Sequence, residues 1–319
     1  MKKIWSMFFA VVLALSFAAC AETGEKTEVR IGSLMGPTSM GLVQLMHADD
    51  TANDYAFTVE ATADAITPAL IRGEIDIALV PANLAAVLYN RTEGALQVAA
   101  INTLGVLYVL ENGESVQTLA DLSGKTIYST GQGTTPEYAL NYILAGNGID
   151  PAKDVTIEFK SEAAEVASAM LADAAALAVL PQPYVTSVLM QNEDVRVALS
   201  FTDEWDAIGG GSALVTGVAL VRKAFAEENP EAVQAFLTEY AASTAFTNEN
   251  PAEASVWIEE LGIVGKAAIA ERAIPDCNIV CITGDEMTTK LSGYLAALHE
   301  QNPESVGGNL PGEDFYLVY

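Results

Sequence analysis

Apolar positions along this chain switch repeatedly between a period of two and a period near 3.6, and each switch marks an element. Residues 28–34 alternate as a strand; Gly36, Pro37 and a Thr38 or Ser39 cap then open a helix to about residue 47. Residues 55–61 alternate again through Tyr55, Phe57 and Val59, and 64–72 carry helical spacing that stops at Gly73. Residues 75–80 form a continuous apolar run ending at Pro81, which reads as a buried strand. Pro81, Ala82 and Asn83 start the next helix, and 96–102 form another strand. This alternation predicts a parallel sheet with helices on both faces, where ligands sit beyond the C-terminal strand ends.

The second half repeats the plan. Residues 105–110 read as a strand with no helix before it, so the chain leaves the first sheet there. Residues 119–125 read as a loop that feeds a strand at 125–129. Gly131 and Gly133 break that strand, Thr134 or Thr135 caps, Pro136 fits the first helical position and Glu137 suits the positive end of the dipole. Tyr138, Ala139, Tyr142 and Ile143 continue at helical spacing. A strand at 155–159, a helix at 162–172 and a strand at 175–180 lead to Pro181-Gln182-Pro183-Tyr184. After a strand at 195–199, residues 201–212 read as a loop holding Trp205 and three consecutive glycines, and 217–222 as a strand that returns the chain. Four helices follow, at 230–248, 251–261, 266–273 and 285–300. The expected fold class is α/β, with one lobe of 28–104 plus 222–319, a second of 105–221, and hinge strands near 105 and 217–222. Two crossings between similar lobes describe a hinge-bending clamp.

The first twenty residues stand apart. Lys2 and Lys3 precede an apolar stretch at 4–15, too short for the roughly 20 residues of a spanning helix, and Phe17-Ala18-Ala19-Cys20 ends it with small residues. The segment resembles a bacterial lipoprotein signal, with Phe17 where that motif usually has Leu. It implies a signal peptide at 1–19, lipidation of Cys20, a tether at 20–27, export, and anchoring on the outer face of the cytoplasmic membrane. Without that leader, 13 basic residues face 42 acidic ones. The acids are scattered, which makes a solvated surface that repels nucleic acid. An apolar content of 51% suffices for one large or two ordinary domains.

Little points to an enzyme. Two His and three Cys assemble no nucleophilic or metal constellation, and no paired carboxylates fall at the strand ends. His47 reads as a helix-surface residue. Cys277 and Cys281 would lie about 13 Å apart along an extended strand, too far to bridge without a turn; two buried free thiols are the favoured reading, with a disulfide as the alternative. No cofactor is expected.

In order and spacing, several pieces resemble one family: Gly36-Pro37-Thr38-Ser39-Met40-Gly41, Gly73-Glu74-Ile75-Asp76-Ile77-Ala78, residues 119–125, Asp173-Ala174-Ala175 leading to Gln182-Pro183-Tyr184, and Asn229-Pro230-Glu231. The chain is similar to the substrate-binding proteins of bacterial ABC importers, in the branch with nitrate, sulfonate, taurine and thiamine-pyrimidine binders. That resemblance implies a type II periplasmic-binding fold, a monomer that closes on a small molecule and hands it to a membrane permease. A surface lipoprotein or sensor module docking to a protein is the rival reading. The ligand candidates are Ser33, Met35, Gly36, Pro37, Thr38 and Ser39 at the first mouth, Asn83, then Gln132, Gly133, Thr134, Thr135 and Tyr138 at the second, with Gln182, Tyr184 and Trp205. Gln182 stands where sulfonate-type relatives often have Glu, and neither mouth carries Arg or Lys. Helix N-termini and hydroxyls would have to hold an anion alone, so a neutral or zwitterionic ligand is favoured, with Tyr138, Tyr184 and Trp205 as walls for a ring.

Overall fold

The structure, a computed structural model, describes residues 26–172 and 176–319. The leader, Cys20 and Asp173-Ala174-Ala175 lie outside the described residues. The first half runs β1 (Glu28–Leu34), α1 (Pro37–Met40), α2 (Val43–His47), β2 (Asp54–Glu60), α3 (Ala63–Arg72), β3 (Ile77–Pro81), α4 (Ala82–Arg91) and β4 (Leu96–Leu104). The second adds β5 (Leu107–Asn112), β6 (Thr126–Ser129), α5 (Thr135–Gly146), β7 (Thr156–Phe159), α6 (Ala163–Ala172), β8 (Leu177–Pro181), α7 (Tyr184–Leu189), β9 (Val195–Ser200) and α8 (Phe201–Ile208). The chain ends with β10 (Val215–Arg222), α9 (Lys223–Glu228), α10 (Pro230–Glu249), α11 (Pro251–Glu260), α12 (Ala267–Ala273), β11 (Ile279–Ile282) and α13 (Gly284–Gln301).

Two sheets result, in the orders β11-β4-β10-β3-β1-β2 and β7-β6-β8-β5-β9. Both are mixed rather than purely parallel. β1 runs parallel to β2 and β3, and β6 parallel to β7 and β8. β10 lies antiparallel between β3 and β4, and β5 antiparallel between β8 and β9. A strand that enters a sheet after crossing from the other one arrives head-on, which reverses its direction. The same logic corrects the return crossing. β10 pairs with β3 and β4 as far as Arg222, so the crossing is 209–214, not the strand itself.

Two local expectations also change. Residues 201–208 are helical rather than loop: the Ser200 hydroxyl accepts from the Asp203 N–H, Asp203 and Glu204 occupy the first turn, and Phe201 and Trp205 are buried. The helix expected to reach residue 47 instead breaks at Gly41 and Leu42 into α1 and α2. Side chains of α10 receive the groups this break frees. Ser243 Oγ accepts from the Leu45 N–H at 3.1 Å, and Thr247 Oγ1 lies 3.1 Å from the Met40 carbonyl. The 119–125 segment likewise contains a 3-10 turn, held by a capping box between Thr118 and Asp121.

Each sheet is pinned at its lower end by a buried carboxylate. Asp76 on the approach to β3 accepts from Arg30 at 2.7 and 2.8 Å and from Arg222 at 2.6 Å. Glu111 of β5 accepts from Arg196 at 2.9 Å and from the N–H groups of Ser115 and Val116. Cys277 and Cys281 are free thiols, one buried and one half-buried. Burial raises both, Cys281 to about 11. No helix among the described residues is long and apolar enough to cross a membrane.

Candidate functional site

The C-terminal strand ends of the two sheets carry the two mouths, and the second of them meets α4 of the first lobe. Thr135, at the start of α5, donates to Asn83 Oδ1 of α4 at 3.4 Å, and the Tyr294 hydroxyl lies 3.4 Å from Thr135 Oγ1. On another part of the seam the Tyr108 hydroxyl of β5 donates to the Asp276 carbonyl at 2.8 Å, and Asn278 donates to the Gly105 carbonyl. Helix α7 packs against α12. Polar neutral groups thus meet across the seam.

Within the first mouth, Gly36 has φ 88°, a conformation that favours glycine, and its N–H donates to the Ile263 carbonyl at 3.1 Å. Pro37 takes the first turn of α1. Thr38 is half-buried, and its carbonyl accepts from Asn102 at 3.4 Å. Ser39 does not cap. It is buried with its Oγ 2.6 Å from both Ser33 Oγ and the Leu34 carbonyl, so these two serines serve the mouth's internal structure. Met35 projects with half its surface exposed.

At the second mouth Gln132, Gly133 and Thr134 are exposed and Thr135 half-buried. Thr134 occupies the cap position, yet its hydroxyl donates backward to the Gly131 carbonyl at 2.7 Å instead of receiving a helix N–H. Glu137 reaches over the turn and its carboxylate accepts from the Gly133 N–H at 2.5 Å. The mouth therefore already holds an anionic group belonging to the chain. Lys160, just after β7, sits 4.8 Å from the centre of the Tyr128 ring and 3.5 Å from Glu158.

The three aromatic candidates separate. Tyr184, on α7, is 39% exposed. Trp205 is fully buried: it packs 4.1 Å from Tyr142 and 5.6 Å from Tyr294, and its indole N–H donates to Ser212 Oγ. It is core, not a wall. Tyr138 is also buried; its hydroxyl accepts from Asn302 and its carbonyl from Gln301, both at 3.1 Å. Gln182 is buried too, its Oε1 accepting from the Thr186 N–H and hydroxyl. Its carbonyl oxygen is thus engaged by the first turn of α7.

The helix expected at 285–300 is α13, but its position was not legible in the sequence: it packs against α5 of the second lobe and against α4, β4 and β10 of the first. A Cβ on Gly293 would stand 2.6 Å from Ser212 Cβ, so the helix lies directly on the return crossing. Sequence reasoning overlooked Asn102 and Thr103, whose polarity inside the apolar run of β4 was the available signal.

A family model described as the phosphonate ABC transporter periplasmic substrate-binding protein matches residues 50–272. Among solved structures, an ABC transporter from Parabacteroides distasonis is 24% identical over 91% of this chain and 99% of its own, with a TM-score of 0.77. The periplasmic aliphatic sulphonate binding protein SsuA from Escherichia coli is 17% identical over 88% and 90%, with a TM-score of 0.71. The periplasmic nitrate-binding protein NrtA from Synechocystis is 16% identical over 79% and 70%, at 0.55. No match is found among curated proteins. These likenesses give the two-lobed α/β architecture, and the family model, spanning well over half of the chain, gives the class of function: transport, not catalysis. The chain belongs to the family of periplasmic substrate-binding proteins of ABC transporters.

Proposed function

We propose that the chain is a monomeric, extracytoplasmic lipoprotein, anchored through Cys20 once residues 1–19 are removed, that closes its lobes on a small neutral or zwitterionic molecule and delivers it to its permease. The observation that carries the ligand class is Glu137. Its carboxylate takes the Gly133 N–H at the start of α5, so an anion arriving at that mouth meets a like charge and a donor already in use. The flanking groups Thr38, Asn83, Thr134 and Thr135 are uncharged, and Lys160 is engaged by Tyr128 and Glu158. Sulphonate and nitrate, named for the structural relatives, and phosphonate, named for the family, are anions. Asn83, Thr135 and Tyr184 are the residues best placed to contact ligand.

The test is native mass spectrometry of the chain from Glu22 as purified, then thermal-shift measurements against vitamins, pyrimidines, amino acids, sulfonates, phosphonates and nitrate. A retained small mass, or a melting shift that grows with the concentration of a neutral or zwitterionic compound, is expected. A shift with simple anions alone overturns the ligand class and leaves the binder. No mass and no shift across the panel points to the docking lipoprotein.

A further inference from the structure

The two crossings between the lobes are built differently. The first, between β4 and β5, is held from both sides. The Leu104 N–H donates to the Asn278 carbonyl at 3.1 Å, and the Gln182 N–H donates to the Val106 carbonyl at 3.0 Å. Between them, the Gly105 carbonyl accepts from Asn278 Nδ2 at 2.5 Å and from the Thr202 hydroxyl at 3.3 Å. A Cβ on Gly105 would stand 2.3 Å from Thr202 Oγ1 and 2.9 Å from Leu214 Cδ2. The start of α8 and the end of the return crossing therefore close on this one point.

The return crossing opens with three exposed glycines, Gly209, Gly210 and Gly211, at φ 84°, 96° and 76°. Gly209, with ψ −164°, occupies a region essentially restricted to glycine. A Cβ on any of the three would meet nothing within 4 Å, so the backbone conformation, not crowding, requires glycine there. Among the described residues, the N–H groups of Gly210 and Gly211 make no backbone hydrogen bond. The next residue, Ser212, is gripped. Its Oγ accepts from the Trp205 indole N–H at 3.1 Å, and a Cβ on Gly293 of α13 would stand 2.6 Å from its own Cβ. Trp205 lies on α8 one turn before the glycines and packs against Tyr142 of α5 and Tyr294 of α13. The Trp205–Ser212 bond thus ties the two ends of the glycine arm together.

We infer that the return crossing is a latched arm: Gly209–Gly211 supply the slack for lobe movement, the Trp205–Ser212 hydrogen bond keeps the arm folded, and Gly105 is the fixed point about which α8 swings. This rests on the reading that the lobes move as a clamp. Fully extended, the four Cα steps from Ile208 to Ser212 span about 14 Å, whereas the latched arm folds back onto its own helix. One neutral hydrogen bond shifts an equilibrium about fivefold, which ligand contacts can override. Trp205 is then a positioning residue for the lobes.

Spin labels paired at the exposed positions Asp64 and Glu162 in the chain from Glu22 test the latch. Ser212→Ala removes the acceptor and keeps the Cβ against Gly293. Without ligand it should raise the ratio of longer to shorter distances about fivefold, and Gly210→Ala, which strains the folded arm, should shift it the same way. Gly148→Ala puts a similar strain, at φ 77° with open space around it, at the end of α5, and should leave the distances as in wild type. Equal shifts in Gly148→Ala and Gly210→Ala, or two wild-type populations that Ser212→Ala leaves unaltered, overturn the latch and leave the clamp. One unchanging distance in every protein overturns the clamp and the latch together. Hydrogen exchange tests the fixed point: the amides of Leu104 and Gln182 should keep their wild-type protection in Ser212→Ala. A loss of protection there overturns the role of Gly105.

Discussion

At the scale of single residues, the charges that matter for stability are the two buried carboxylates. Burial alone would raise the Asp76 pKa, but the bonds from Arg30 and Arg222 more than reverse this and hold it below its ordinary value of 3.8. Its contribution is therefore complete above the unfolded value and is lost as pH falls through the folded one. Asp76→Asn should lower stability at pH 7 by about 3 kcal/mol, because two guanidinium groups lose their partner, and should flatten the acid limb of a stability profile below about pH 4. Urea denaturation at pH 7 and pH 3 checks this; an equal loss at both would show that packing rather than charge is responsible. Cysteine chemistry follows from burial in the same way. With Cys281 raised to about 11 and Cys277 raised further, neither thiol should react appreciably with a disulfide reagent at pH 8 until urea unfolds the chain. Aromatic residues were the least legible at this scale. Trp205 and Tyr184 look equally suited to a ligand wall from spacing alone, since an amphipathic ring serves a core or a cleft. Only the neighbours Tyr142, Tyr294 and Ser212 distinguish them.

At the scale of elements, strands and glycine-led turns could be read from the sequence because period-two apolar runs ending in Gly or Pro are local signals. What could not be read depends on contacts distant in sequence. The break of α1 from α2 is supported by α10, some two hundred residues away, through Ser243 and Thr247. α13 shows helical spacing, but nothing local indicates that one helix serves both lobes. Its polar grip on α5 yields a prediction that separates two roles for Tyr138. Tyr138→Phe keeps the ring and removes the acceptor for Asn302, which should cost about 1 kcal/mol of stability and leave the affinity for a ligand retained on purification unchanged. A large loss of affinity with unchanged melting would restore Tyr138 as a ligand wall.

At the scale of the whole molecule, the repeated strand–mouth–helix plan was legible because each lobe carries it in full, whereas the way the halves face each other was not. That arrangement rests on α13, whose apolar residues join one core with both lobes, and on a few neutral hydrogen bonds: Thr135 to Asn83, Tyr294 to Thr135 and Tyr108 to the Asp276 carbonyl. If the lobes close as a clamp, bonds this weak are what a reversible hinge needs, since each contributes on the order of 1 kcal/mol and ligand contacts can then decide the balance. Thr135→Val removes the donor to Asn83 and the acceptor for Tyr294 while keeping the side-chain shape. It should move the unliganded equilibrium about fivefold or more toward the open arrangement. Paired spin labels at exposed positions, Asp64 in the first lobe and Glu162 in the second, would report this as growth of a longer-distance population. Saturating ligand should restore the short distance in both proteins, with weaker apparent affinity in the variant. Identical distance distributions in wild type and variant, with and without ligand, would mean that the lobes form one rigid body and that the ligand enters without hinge motion.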